Sequence, residues 1–452
     1  MPTESHVIVL AFPFGSHAAP LHTLVRKLAT AAPDVSFSFF NTAKSNSSIT
    51  ALEDHDIGNL KAYNVADGVP ENYVYTGKRQ EDIELFMKAT PGNFKRAIEV
   101  AIEEKKISCV MSDAFLWFAG DMAEEMKVSW VPLWLSGQFS LSTHFYTDLL
   151  RDMIGIGTHA IAGREDEPLD FLPGMSGFHI EDLQEGIVFG DMESPLSIML
   201  HRMGQMLPRV AAIAINSFEE LNPTITNDFK SKFQKCLNVG PFSIMSSVPS
   251  DSDESGCLLW LDGQKTASVA YVGFGRLMTP PPHEQAALAE ALEASGVPFL
   301  WSLKDSLKVN LPYGFLDRTK GRGNVVSWAP QLRVLAHPAV GVFVTHCGWN
   351  SVVESVMGGV PMICRPILGD HRLNGRMVTD VWQIGVGIKG GVFTRDGTMR
   401  GLDLILSKEK GKRMREKIGA IKEMMEKAIG PQGSSSENFK TLLELVSMCK
   451  AS

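Results

Sequence analysis

Short unbroken apolar runs alternate with helix-spaced apolar positions along most of this chain. Residues 6–12 (H-V-I-V-L-A-F) form one such run, which predicts a buried strand. A loop over 13–19 follows. Pro20 then opens a stretch in which Leu21, Leu24, Val25 and Leu28 share one helical face. The same criteria predict strands over 35–40 and 60–65, a long helix over 81–104, a strand over 107–111 and a helix over 115–126. Strands over 130–134 and 211–215 follow, the latter expected to close a first sheet. Residues 241–256, rich in Ser, Asp and Pro, break the pattern and read as an exposed interdomain linker. A second series then alternates, with strands over 268–274, 298–302, 324–327, 340–345 and 360–364 and a helix over 283–294. After Ser407 the chain is helical and charge-laced, over 408–428 and 437–448, and these helices are expected to pack back over a domain face.

Strands alternating with helices predict parallel, doubly wound sheets. The expected organisation is an N-terminal domain of residues 1–240, a linker of 241–256 and a C-terminal domain of 257–452. Two such halves imply a cleft at the carboxyl edges of their strands, where open α/β sheets hold ligands. The length of 452 residues, too great for one ordinary core, agrees with two domains.

Composition narrows the class. Hydrophobic residues at 44% and charged residues at 21% fit a globular enzyme, and a net charge of −8 removes any global electrostatic case for nucleic acid or an anionic membrane. Cys109, Cys236, Cys257, Cys347, Cys364 and Cys449 are scattered without metal-ligand spacing, so reduced thiols and no bound metal are expected. The first residues carry no basic segment leading into a signal-length apolar core, and no apolar run approaches a membrane span. A cytoplasmic protein is therefore expected, with the glycosylation match at Asn46-Ser47-Ser48 idle. Gly155-Ile156-Gly157-Thr158-His159-Ala160 fits a dinucleotide-binding pattern, but it follows a helix-like segment where a strand is required.

Chemistry concentrates in residues 328–371. The β-branched run 340–345 feeds a helix beginning at Trp349 through a turn at His346, Cys347 and Gly348. Such a turn aims backbone N–H groups and the helix dipole at one spot, which suits a phosphate. An ordinary crossover with capping residues has the same pattern; the surrounding residues separate the two. Asn350 and Glu354, four apart, share a helix face, and a carboxylate there can accept two hydrogen bonds from a ribose diol. Trp328 offers a flat face for a pyrimidine, with Gln331 close behind, and Asp370 and His371 can meet further hydroxyls. Base, ribose, phosphate and sugar together describe a nucleotide sugar.

This stretch, W-A-P-Q through T-H-C-G-W-N-S and Glu354 to G-D-H, resembles the signature box of plant family 1 UDP-glycosyltransferases. The resemblance extends over nearly the whole chain. It is strongest to the flavonoid 3-O-glycosyltransferase branch, through F-P-F-G-S-H-A-A-P near the start and L-Q-E-G-I-V-F-G at 183–190. It implies an α/β GT-B fold, two Rossmann-like doubly wound domains facing a central cleft, with acceptor in the first half and UDP-sugar in the second. It implies that Trp328 and Gln331 hold uracil and ribose, Glu354 the ribose hydroxyls, His346, Asn350 and Ser351 the pyrophosphate, and Trp349, Asp370 and His371 the sugar. Ser302 and Ala329 join the donor side on the same grounds. UDP-sugar is then a co-substrate, with no cofactor, and association with other enzymes of the pathway is left open.

The first half should supply a base. His17 lies in the loop after the first strand and Asp113 just past the strand 107–111, both on one sheet edge. A carboxylate on one imidazole nitrogen fixes the tautomer and stabilises the imidazolium formed at the other. Spacing alone favours a loop histidine and a helix cap; the matching family motifs reverse that in favour of the pair. Phe14, Phe115, Phe118, Trp134 and Phe139 could line a flat apolar slot or pack as plain core. Ser16, Gln80, His144 and Gln184 match, by resemblance, polar positions that contact a flavonoid's hydroxyls.

Two departures concern the donor. The box closes in His371 where UDP-glucose enzymes of the family mostly carry Gln, and the same histidine occurs in several galactosyltransferases, so galactose is favoured over glucose. Gly273 and Arg276 replace the small hydroxyl residues of a loop near the donor phosphates. Arg276 could clamp the pyrophosphate, pair with a uronic acid, face solvent or obstruct the pocket. The last option keeps open a catalytically weak UDP-sugar-binding protein.

Overall fold

The computed structural model describes residues 5–50, 57–78, 80–102, 106–245, 253–275 and 279–448. Seven strands form a first sheet: β1 (His6–Leu10), β2 (Ser36–Thr42), β3 (Leu60–Val65), β4 (Ile107–Asp113), β5 (Ser129–Trp134), β6 (Ile213–Ile215) and β7 (Cys236–Asn238). They pair in parallel in the order β3-β2-β1-β4-β5-β6-β7. Six more form a second sheet: β8 (Val269–Gly273), β9 (Phe299–Ser302), β10 (Gly323–Val326), β11 (Val340–Thr345), β12 (Met362–Cys364) and β13 (Gly385–Gly387). Their order is β10-β9-β8-β11-β12-β13, again all parallel.

Every residue of β1, β8 and β11 is buried. That is the signature of parallel sheets covered by helices on both faces, and it explains why these strands read as unbroken apolar runs. One apolar layer is common to both halves, including Val110 and Trp134 from the first and Phe343 and Trp349 from the second. The strand order reverses between β1 and β4 and again between β8 and β11. Loops leaving such switch points splay apart and open a crevice at the carboxyl edge.

Several boundaries differ from expectation. The helix expected over 81–104 is two helices, Glu81–Ala89 and Gly92–Ile102, because Pro91 cannot continue the first. The strand within 211–215 does not close its sheet; β7 lies beyond it, and at three residues is too short to show a period. β13 escaped for the same reason, and the helix Arg395–Ser407 precedes the tail helices. The start of the expected linker is not exposed: Phe242 is buried and its N–H donates to Asn216 Oδ1 at 2.8 Å. The last helix, Ser434–Ser447, lies against the first sheet, burying Leu442 and Val446 with Val7 and Val9. Asn46 is buried on a helix with its amide bonded to Tyr63 O and Asn64 Oδ1, which removes it as a sugar acceptor.

Candidate active site

β1 and β4 are neighbours, so the segments leaving them meet. His17 ends the loop after β1, immediately before the helix Ala18–Ala31, and Asp113 is the last residue of β4. Their side chains pair, His17 Nδ1 to Asp113 Oδ2, at 2.8 Å. Asp113 is 1% exposed and its other oxygen accepts the N–H of Phe115 at 2.9 Å, so the carboxylate is fixed at both ends. His17 remains 22% exposed. With Nδ1–H donating to the carboxylate, Nε2 carries the lone pair and is the atom able to take a proton.

Aromatic rings surround this pair. Phe115 lies 4.3 Å from the His17 ring centre and Phe12 5.2 Å, while Phe14 and Phe86 pack on Phe12. Trp134 continues the wall, 5.9 Å from Phe115 and 5.6 Å from His144. His144 Nε2 donates to Gln184 Oε1 at 3.2 Å, and burial pushes the imidazole down to about 4, keeping it neutral. The segment carrying Gln184 is tied down by Arg151, which donates to Ile187 O and Gly186 O at 2.8 and 3.1 Å. Ser16 is exposed beside His17. Gln80 is farther out, its Oε1 accepting the N–H of Leu196 at 3.3 Å. Phe118 packs on Phe94 and Trp117, and Phe139 on Phe178; both are 2% exposed and belong to the core more than to the wall.

Across the crevice, β11 delivers His346 into the turn before the helix Trp349–Gly358. The His346 ring lies under two glycines: a Cβ on Gly348 would come within 2.5 Å of Nε2 and one on Gly275 within 3.0 Å. Only backbone can approach there, as a phosphate cradle requires. Burial holds His346 down at about 3, so it acts as a neutral dipole and not as a cation. His371 meets it edge-on at 4.8 Å and is also held low, at about 4, by burial. Because His371 Nδ1 accepts the N–H of Leu368 at 3.3 Å, its Nε2 must carry the proton.

Gln331 opens a helix of its own and ties β8 to the helix Trp349–Gly358. Its Nε2 donates to Ser351 Oγ at 2.9 Å and Glu354 Oε2 at 2.8 Å, while Tyr271 OH donates to its Oε1 at 3.3 Å. Burial pushes Glu354 up to about 7. Trp328 is 45% exposed, an open aromatic face three residues before Gln331, and Ala329 beside it in sequence is buried. Ser302 ends β9, half-buried on the same edge. Arg276 lies outside the described residues.

Trp349 turns its side chain and its backbone in different directions. Its indole is held by the first half: Nε1 donates to Asn216 O at 2.6 Å, and the ring lies so close to Gly137 that a Cβ there would come within 2.9 Å of it. Only the backbone N–H of Trp349, in the first turn of its helix, is left for a ligand. Asn350 is drawn into the same junction, its Oδ1 accepting from Asn216 Nδ2 at 3.1 Å, which turns its NH₂ outward as a donor. Asn216, Ser136 and Tyr271 were not anticipated. Asn216 directly follows β6 and Ser136 sits two residues past β5. The carboxyl-edge rule that picks out Asp113 would have found both.

Matches to known proteins bear on the family and the fold. The family described as UDP-glucoronosyl and UDP-glucosyl transferase matches residues 6–422. An anthocyanidin 3-O-glucosyltransferase of Vitis vinifera is 56% identical over 451 residues, covering 99% of this chain and 98% of that protein. An anthocyanidin 3-O-galactosyltransferase of Actinidia chinensis var. chinensis is 54% identical over 448 residues, covering 98% and 97%. The crystal structure of a UDP-glucose: anthocyanidin 3-O-glucosyltransferase in complex with UDP superposes with a TM-score of 0.92 at 41% identity, covering 99% of this chain and all of that one.

Proposed function

From the premise that this chain belongs to the UDP-glucoronosyl and UDP-glucosyl transferase family and is a UDP-glycosyltransferase of GT-B fold, we propose that it transfers a hexose from a UDP-sugar to the 3-hydroxyl of a flavonol or anthocyanidin. The observation that carries this is the placement of the His17–Asp113 pair, walled by Phe115 and Trp134, on the edge that meets the His346–Glu354 apparatus. A flat phenolic fits between aromatic walls. The relatives named above act on anthocyanidins at that hydroxyl.

The reaction is then one displacement. His17 Nε2 takes the proton of the acceptor hydroxyl as its oxygen attacks the anomeric carbon. The bond from that carbon to the UDP oxygen breaks, UDP keeps the electron pair, and the configuration inverts. Asp113 stabilises the imidazolium that forms. Charge growing on UDP is met by the N–H groups of the helix that starts at Trp349 and by neutral His346, so the proposed step calls on no metal.

Galactose is the favoured sugar. His371, neutral and with Nδ1 already satisfied, offers a hydroxyl only an N–H donor, whereas a glutamine would offer a donor and an acceptor. Glucose is the second reading, favoured by the Vitis vinifera relative at 56% identity. No helix among the described residues is long and apolar enough to cross a membrane. We place the reaction in the cytoplasm because the six cysteines are scattered along the sequence without paired spacing, as suits thiols kept in a reducing compartment. The test is UDP release from UDP-galactose, UDP-glucose and UDP-glucuronate against a flavonol panel, with product linkage determined, in the native enzyme and in Arg276→Thr. A 3-O-galactoside formed fastest is the expected result. Faster glucoside formation would overturn the sugar assignment, and no UDP release with any pair would overturn the transferase proposal.

A further inference from the structure

Ser136 and Asp370 stand on opposite halves of the molecule, 234 residues apart, yet the Ser136 hydroxyl donates to Asp370 Oδ2. Asn374 Nδ2 donates to that same oxygen at 2.9 Å and to Cys347 O, in the phosphate turn, at 3.0 Å. Two donors on Oδ2 fix the rotation of the carboxylate, so Oδ1 is the oxygen presented to a ligand.

Ser136 is itself rigidly held. Trp134 Nε1, on the acceptor wall, donates to Gly137 O at 3.0 Å, closing a tight turn around residues 135 and 136. The far side of that turn is packed against the Trp349 ring, where no Cβ fits on Gly137. The hydroxyl is therefore clamped between the aromatic wall of one half and the donor helix of the other.

We propose that Ser136 is a positioning residue for the donor sugar: reaching across the cleft, its hydroxyl sets the orientation of Asp370, which aims Oδ1 at a sugar hydroxyl. This rests on the reading above that Asp370 meets the sugar. It has a further consequence: the group that orients the sugar is mounted on the same turn as the wall that receives the acceptor, so the two reactants are aligned through one short segment.

The test compares Ser136→Ala, Ser136→Thr, Asp370→Asn and the double variant Ser136→Ala/Asp370→Asn in the full-length enzyme. KM for UDP-galactose, KM for the flavonol and Kd for UDP alone are measured for each. Loss of one hydrogen bond to a charged group should raise the UDP-galactose KM of Ser136→Ala about tenfold. UDP, which lacks the sugar, should bind unchanged, and Ser136→Thr, which keeps the hydroxyl, should restore the native value. The double variant should be no worse than Asp370→Asn, because Ser136 acts only through that carboxylate. If Asp370→Asn raises the donor KM while Ser136→Ala does not, the positioning role is overturned and the sugar contact of Asp370 stands. If Asp370→Asn leaves the donor KM native, both fall. Parallel loss of UDP affinity in Ser136→Ala would assign the residue to packing alone and overturn the proposal.

Discussion

The proposed donor and acceptor walls of the cleft are built by opposite strategies. Trp328, Gln331, His346, Ser351, Glu354 and His371 come from one contiguous stretch, and its turns and helices place most of the contacts directly. Phe12, His17, Asp113, Trp134, His144 and Gln184 come from segments spread over some 170 residues and are brought together only by the order of strands β1, β4 and β5. A locally encoded wall suits a ligand whose phosphates and ribose do not vary. A wall assembled by topology can change one ring at a time without disturbing the sheet, which suits a variable aromatic partner.

The comparison is tested most severely at His17, where the acceptor's proton must leave. His17→Ala should lower kcat about 10²- to 10⁴-fold, the usual contribution of a general base, with UDP affinity native. Equal loss of UDP binding, measured by calorimetry, would mean that the two walls are not separable. Next in size, Trp328→Ala removes an aromatic stack of about 1–3 kcal/mol and should raise the UDP-sugar KM roughly ten- to a hundredfold, leaving the flavonol KM alone.

Glu354 sharpens the donor side through pH. Folding raises its pKa from 4.5 to about 7, so the folded enzyme holds that proton where the unfolded chain has lost it. The unliganded enzyme should therefore lose stability as pH rises from the ordinary carboxylate range through about 7. UDP-sugar affinity should move the other way over the same window, because only the ionised carboxylate can accept both ribose hydroxyls. His346 and His371, held at about 3 and 4, stay neutral throughout. The slope below neutrality should approach tenfold per pH unit, and Glu354→Gln should flatten it; a slope that survives that substitution would assign it to another group. The smallest effect belongs to the other wall: His144→Ala should raise the flavonol KM about fivefold, one neutral hydrogen bond, with the donor KM unchanged.

The same contrast decides what could be read from the chain before folding. β11 and the turn after it were legible because a buried parallel strand is an unbroken β-branched run. The pairing of His17 with Asp113 was legible only as a possibility until neighbouring motifs supported it, since residues 96 apart meet only if β1 and β4 are adjacent. β7 and β13 were invisible at three residues each. Trp349 shows a different limit: one letter cannot say whether an indole or a backbone N–H faces the ligand, and here the indole is spent on Asn216 across the interface. Ser136 and Asn216 carried no pattern of their own, only a position at a strand's carboxyl end.

The helix Ser434–Ser447 sets a schedule for the molecule's own making. Leu442 and Val446 complete an apolar layer begun by Val7, Val9 and Leu21, and Ser5 Oγ bonds Ser447 O at 2.7 Å. A chain synthesised from its N-terminus at about 5–20 residues per second finishes β7 roughly ten to forty seconds before that helix exists. Throughout that interval this face of the first sheet carries the helix Ala18–Ala31 but lacks Leu442 and Val446. The half made first is the half finished last.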